Sequence, residues 1–251
     1  MEQAFSLVGK TAIVTGISRG LGKGMALGLA KAGADIVGIS VSNMQDTKEA
    51  VQQLGRKFYD IPADMSSIEE VERAAHEAIE SVGRIDILVN NAGIIRRSPA
   101  KDFSQEDWKE VLDINLNAVF TMSSIIGNHM LEHQKGKIIN IASMLSFQGG
   151  IRVPAYTVSK HGIAGLTKSL ANEWSSQGVN VNAIAPGYMA TDNTEALRND
   201  PERSESILSR IPTKRWGNPS DLEGPVVFLA SEASDYVTGH ILCVDGGWMS
   251  S

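Results

Sequence analysis

Short apolar runs that close on Gly, Asn or Ser recur along the chain: TAIVTG (11–16), DIVGIS (35–40), DILVNNAG (86–93), KIINIAS (137–143), VNVNAIAPG (179–187) and HILCVDGG (240–247). A run that is apolar at nearly every position, rather than at every second one, suits a strand buried on both faces of a parallel sheet. Between the runs lie longer stretches with helical periodicity, at 20–33, 45–54, 67–82, 104–133, 154–177 and 219–231. Parallel neighbours need long crossovers, and these stretches supply them. The pattern predicts an α/β fold of right-handed βαβ units, a doubly wound parallel sheet with helices on both faces. The alternation breaks at 187–218, a polar segment after a late strand and so an expected lid over the carboxyl ends of the strands.

At 251 residues, with no linker, repeat or low-complexity segment, the chain is expected to form a single domain, 1–251. Its 23 basic and 29 acidic residues leave a net charge of −6, the wrong sign for following a phosphate backbone, so nucleic acid is not an expected partner. The opening MEQAFSLVGKTAIVTG carries no basic leader, and no apolar run reaches the ~18 residues needed to span a bilayer, so no membrane partner and a cytoplasmic setting are expected. The lone Cys243 permits no internal disulfide and reads as a small buried side chain in a reducing compartment.

In an open parallel sheet, ligands bind at the carboxyl ends of the strands. The first such end is TGISRGLGKG, where Gly16, Gly20 and Gly22 lie between strand and helix. Without Cβ atoms there, backbone N–H groups and a helix N-terminus can approach a pyrophosphate. The second strand ends on Ser40, where a carboxylate would mark NAD, while Arg19 can pair with a 2′-phosphate; the residues alone leave the choice open. Asp64, after FYDIPAD, reads as an adenine-edge contact or as the cap of the following helix.

Tyr156 and Lys160 stand four apart on a helical pattern opened by Pro154, hence on one face. An ammonium beside a phenol favours the phenolate, which lets a group with a reference pKa near ~10 serve as an acid/base. Ser143, at the end of KIINIAS, can donate to a carbonyl oxygen that gains charge, or cap a turn; Asn115 in VLDINLNAVF can hold a water behind Lys160 or mark a kink. Arg96, Arg97 and Arg152 suit a carboxylate, or are each a solvated or ion-paired surface residue, and Gln148, Tyr188 and Asn193 suit hydroxyls, a set compatible with an acidic polyol. His129, Glu132 and His133 form H-x-x-E-H at the amino end of a strand, the wrong end for the site, so no metal is expected.

Gly16/Gly20/Gly22, Asn90-Asn91-Ala92-Gly93, Asn115, Ser143, Tyr156-x-x-x-Lys160 and Pro186-Gly187-x-x-x-Thr191 together resemble the motif set of the short-chain dehydrogenase/reductases, across essentially the whole chain. The resemblance implies a Rossmann-type fold, a mainly dinucleotide-binding half at 1–93 and a catalytic half at 94–251, and a homotetramer built through the long helices and last strand. It also implies that Tyr156 is the acid/base, that Ser143 orients the carbonyl, that Lys160 binds the nicotinamide ribose and lowers the tyrosine's pKa, and that Asn115 supports a proton relay. The cofactor residues it implies are Gly16, Ser18, Arg19, Gly20, Leu21, Gly22, Ser40, Asp64, Met65, Asn91, Ala92, Gly93, Pro186, Gly187, Met189 and Thr191, with Tyr156 and Lys160. The expected substrate contacts are Arg97, Gln148, Arg152, Tyr188 and Asn193, with Ser143 and Tyr156. The strings NNAGIIRR, IINIASMLSFQGGIRVPAYT and NVNAIAPGYMATDNT are similar to members that handle acidic keto-sugars, which implies NAD(H) over NADP(H). The rival readings are another polyol dehydrogenase of the family and a dinucleotide-binding regulator without catalysis; Asn115, Ser143, Tyr156 and Lys160 argue against the latter, since a binding module needs none of them.

Overall fold

Each apolar run forms a strand in the computed structural model, which describes residues 2–250. In chain order the elements are β1 (Thr11–Thr15), α1 (Gly20–Lys31), β2 (Asp35–Ser40), α2 (Gln45–Gln53), β3 (Phe58–Pro62), α3 (Ile68–Val82), β4 (Ile87–Asn90), α4 (Gln105–Leu112) and α5 (Ala118–Glu132). There follow β5 (Gly136–Ile141), α6 (Pro154–Trp174), β6 (Val179–Pro186), α7 (Glu195–Arg198), α8 (Pro201–Arg210), α9 (Glu223–Ala230) and β7 (Ile241–Val244). All seven strands are parallel, in the order β3-β2-β1-β4-β5-β6-β7. The chain winds outward from β1 to β3 and then returns to β4, so the direction of winding reverses between β1 and β4. A crevice opens at such a reversal, beyond the carboxyl ends of the two strands.

The sheet's two faces explain why the runs are apolar throughout. Val14, Ile36, Val89, Ile139 and Ile184 pack with Met25, Leu29, Val226 and Leu229 of α1 and α9 on one side. Ile13, Val37, Leu88, Ile138 and Val181 pack with residues of α3, α5 and α6 on the other. Neighbours along each strand thus enter opposite layers, and each fully buried Val, Leu or Ile contributes about 1.5–3 kcal/mol. The pairing Val14↔Val89 and Val14↔Gly38 fixes the register beside the crevice.

The stretch 104–133 departs from a single helix. Ser104 caps α4 by accepting from the Asp107 N–H at 3.0 Å, but a π-turn at Asp113–Asn117 separates α4 from α5. The wider turn brings Asn115, fully buried, against the backbone of Ile94, which is the kink reading of that residue. The segment 187–218 holds α7 and α8, and its two ends meet in an isolated bridge between Met189 and Gly217. No helix among the described residues is long and apolar enough to cross a membrane. Cys243 is exposed on the terminal strand, contrary to the buried position expected of it.

His129 is buried on α5, and its Nε2 accepts from the Ile85 N–H at 3.3 Å, a role that requires that nitrogen unprotonated. Burial, and then the neighbouring His133, hold its pKa below the ordinary 6.5. The folded chain therefore takes up this proton less readily than the unfolded one. The stability this gives is complete above about 6.5 and is lost as pH falls below it. A melting temperature followed from pH 7.5 to 5 should drop, and His129→Gln, which keeps an acceptor but cannot be protonated, should flatten that drop.

Candidate active site

The crevice between β1 and β4 is closed at its base by four hydrogen bonds. Thr15 Oγ1 accepts from the backbone N–H groups of Asn91 and Ala92, both at 3.0 Å. The Asn91 amide Nδ2 donates to the carbonyls of Thr15 at 2.9 Å and Gly16 at 3.1 Å. A Cβ at Gly22 would lie 2.2 Å from the Gly16 carbonyl oxygen and 2.5 Å from Asn91 Nδ2, so the helix fits against this joint only as glycine. Arg19 stands at the N-cap of α1 without a side-chain cap, which leaves first-turn N–H donors for an anion. Gly16 and Gly20 take φ of 65° and 56°, the left-handed region that favours glycine. The turn thus fits the pyrophosphate of a dinucleotide: open donors, no side chain in the way, and the positive end of a helix dipole.

The other predicted cofactor residues take the following places. Leu21 packs on the apolar layer below it. The Ser18 carbonyl faces the Thr47 hydroxyl at 3.5 Å. Thr191 has its methyl 3.8 Å from where a Cβ of Gly20 would stand, so the start of the lid lies over the turn. Pro186 ends β6, Gly187 passes so near Asp245 that a Cβ would meet its Cα at 2.5 Å, and Met189 is buried at the lid's neck. Gly93 lies beside Asn115, whose Oδ1 would be 3.2 Å from an added Cβ. Ser40 is buried and accepts from the Ser42 N–H at 3.3 Å. Asp64, followed by buried Met65, does not cap α3: its Oδ1 accepts from Ser66 N–H at 2.8 Å, while Ser67 is the cap, accepting from Glu70 N–H at 3.3 Å. Arg19 pairs with Asp192 of the lid at 3.3 Å, with both side chains mostly exposed.

Ser143 follows β5, where its backbone is extended and its Oγ accepts from the Leu145 N–H at 3.1 Å. Tyr156 and Lys160 share a face of α6, with Lys160 Nζ 5.6 Å from the centroid of the phenol ring. Burial raises the Tyr156 pKa above 10, while a hydrogen bond with Ser143 and the nearby charge of Arg97 oppose it. Lys160 is itself held down to about 8 by burial, and its ammonium donates to the Ile141 carbonyl at 2.6 Å. Ser143 and Arg97 oppose the rise of the tyrosine's pKa, and the Lys160 ammonium, while donating to the Ile141 carbonyl, stays beside the phenol ring.

Two serines that the sequence reading passed over tie this group together. The Ser146 hydroxyl donates to the Lys160 carbonyl at 2.6 Å and accepts from the Ser143 N–H at 3.3 Å. Ser159 donates to the Tyr156 carbonyl at 2.8 Å and accepts from Asn115 Nδ2 at 3.2 Å. Asn115 also clamps Ile94, accepting from its N–H at 2.8 Å and donating to its carbonyl at 2.9 Å. A serine among apolar helix neighbours was the only available signal for Ser159, and nothing local marks Ser146.

The arginines separate. Arg96 is bound bidentately by Glu110 at 3.0 and 2.9 Å and approached by Asp107 at 3.5 Å, so it is spent on α4. Arg97 acts on Tyr156 through its charge and donates to the Asn193 carbonyl at 3.2 Å. Arg152 is exposed in a left-handed backbone conformation, φ 66°, and its carbonyl accepts from Ser98 N–H at 3.0 Å. Tyr188 stacks edge-on against Trp216 and Trp248, and Gln148 Oε1 accepts from the Trp248 indole at 3.3 Å. The rings of His129 and His133 face each other at 4.5 Å, and no cluster of three or more His, Cys, Asp or Glu suited to a metal occurs among the described residues.

A family model described as enoyl-(acyl carrier protein) reductase matches residues 16–249. The chain belongs to the short-chain dehydrogenase/reductases, oxidoreductases that act on a CH–OH group with a nicotinamide dinucleotide. It is 57% identical over 248 residues, 98% of each chain, to 2-dehydro-3-deoxy-D-gluconate 5-dehydrogenase of Escherichia coli. Among solved structures it is similar to a candidate 2-deoxy-D-gluconate 3-dehydrogenase of Agrobacterium tumefaciens with bound NADP, at a TM-score of 0.94, 49% identity and 99% coverage of both chains. It is also similar to a gluconate 5-dehydrogenase of Burkholderia cenocepacia in complex with NADP and tartrate, at a TM-score of 0.95 and 38% identity, over 100% of this chain and 99% of that one.

Gly22→Ala should lower stability by about 1–3 kcal/mol, because the added methyl meets backbone and not a movable side chain. Thermal melting should show the loss, and fluorescence titration with NADH and NADPH should show weakened binding of both.

Proposed function

We propose that the chain interconverts 2-dehydro-3-deoxy-D-gluconate and 3-deoxy-D-glycero-2,5-hexodiulosonate. The observation that carries this reading is the 57% identity, over 98% of each chain, to a relative named for that activity. The position of Arg97 supports it: a guanidinium that reaches the phenol by its charge can hold an acidic substrate beside the proton donor. The Burkholderia cenocepacia relative favours a second reading, gluconate 5-dehydrogenase, and carries tartrate, itself a hydroxy acid.

Tyr156 is the acid/base in this reading. Burial keeps its proton on at neutral pH, which suits donation to the oxygen of a ketone being reduced. Ser143 donates in this reading to the same oxygen as it gains charge. Lys160 holds the strand end through Ile141, and Asn115 fixes the loop after β4 that carries Arg97. The dinucleotide, when bound, supplies or accepts the hydride; the turn at Gly16–Gly22 and Thr191 would hold it.

The cofactor form follows from charge. Resemblance favours NAD(H), but no carboxylate stands at Ser40 to repel a 2′-phosphate, and the solvent-exposed Arg19–Asp192 pair is weak enough to exchange. Both solved relatives named above hold NADP. We assign NAD(H) with NADP(H) also accepted. The exposed apolar Phe120 and Val158 on α5 and α6 support assembly through those helices into a homotetramer.

Purified protein should oxidise NADH, and NADPH within about tenfold, when offered the hexodiulosonate, and less efficiently with 5-keto-gluconate. Tyr156→Phe should reduce turnover by roughly 10²–10⁴-fold with little change in dinucleotide affinity; full activity in this variant would overturn the mechanism. Arg97→Ala should raise KM for keto-sugar acids far more than for neutral ketoses, and more than Arg152→Ala does; equal effects on acid and neutral substrates would remove the carboxylate role.

A further inference from the structure

The substrate half contains a side chain that neither motif nor resemblance marks. Trp248, 5% exposed, lies three residues from the end of the chain and touches three separate segments. Its indole Nε1 donates to Gln148 Oε1 at 3.3 Å. Its ring packs against Tyr188 at 4.8 Å and an interplanar angle of 64°. The guanidinium of Arg210, the last residue of the lid helix α8, lies over it at 3.9 Å. It shares an apolar cluster with Met144, the residue after Ser143.

An amide side chain is nearly symmetric in shape and can present either its oxygen or its –NH2. An indole can only donate. The atom of Gln148 that faces Trp248 must therefore be oxygen, which turns the –NH2 the other way, where it makes no hydrogen bond among the described residues. We propose that Trp248 is a positioning residue: by fixing the amide of Gln148 it presents that –NH2 as a donor to an acceptor oxygen of the substrate, a carboxylate or keto oxygen, and so helps to select acidic keto-sugars. The cation–π contact with Arg210 holds the indole and ties this selection to the lid helix. The inference rests on the reading that Gln148 lines the substrate cleft.

The test is a double-mutant cycle on KM for the keto-sugar acid, with dinucleotide affinity and melting temperature as measures of the fold. Gln148→Ala should raise KM about three- to tenfold, the effect of losing one oriented hydrogen bond. Trp248→Phe keeps the packing and loses the N–H; it should raise KM by a similar factor, and add nothing in the Gln148→Ala background. A Gln148→Ala enzyme with unchanged KM would overturn the cleft reading and the inference with it. Raised KM in Gln148→Ala together with unchanged KM in Trp248→Phe, or fully additive effects, would overturn the positioning role alone. Gln148→Glu gives a reading that does not depend on the tryptophan variant folding: it keeps an acceptor for the indole and replaces the donor by a negative charge. It should raise KM for the keto-acid at least tenfold and leave a neutral ketose within threefold; equal change for both would also overturn the inference.

Discussion

The joint between Thr15 and Asn91 is the constraint on which the rest of the site depends. At this point the order of the sheet reverses, just beyond the pairing of β1 with β4. Four hydrogen bonds extend the junction past the strand ladder, and removing either side chain would leave part-buried backbone groups without these partners. Gly22 lets α1 settle against the same joint, so the phosphate turn and the loop after β4 are held in one relation. Asn115 then passes that position on to α6 through Ser159, and Ser146 ties α6 to the end of β5. The distance between the cofactor turn and Tyr156 is thus set by backbone contacts and short polar side chains, groups with little freedom to drift.

A second set of buried polar groups steadies the same strand ends. Asn90 and Asn140 stand opposite each other on β4 and β5, and the Asn90 amide donates to both Asn140 and Ser123 of α5 at 2.9 Å. Asn140 donates in turn to Thr167 of α6 at 3.0 Å. In an apolar sheet such a chain of partners has no substitute in water, so it favours one register of strands and helices over its slipped alternatives.

The strands were legible because each is buried on both faces, and the turn glycines because they fall where strand passes to helix. What stayed hidden depends on residues far apart in sequence. The π-turn within 104–133 follows from the grip of Asn115 on Ile94, 21 positions away. Arg96 and Arg97 are adjacent and chemically alike; α4 presents Glu110 to the first, and the lid presents a carbonyl to the second. Lys160 read as the partner of the tyrosine and does lie beside its ring, but its hydrogen bond to the Ile141 carbonyl was not legible. Spacing along a helix gives which side chains share a face, and not which backbone oxygen will compete for them.

The bridge between Met189 and Gly217 makes the lid a closed excursion with a fixed neck. At the neck Gly187 lies against Asp245, and β6 pairs with β7 in unbroken register. The excursion is anchored again inside its length, where Ile207 and Ile211 pack with Met144 and Trp248 and the Thr213 N–H donates to the Gly246 carbonyl at 3.1 Å. A change of side chain within 187–218 thus reaches the end of β5 through Met144 and Trp248, while the strands keep a register set by pairings that no residue of the segment makes.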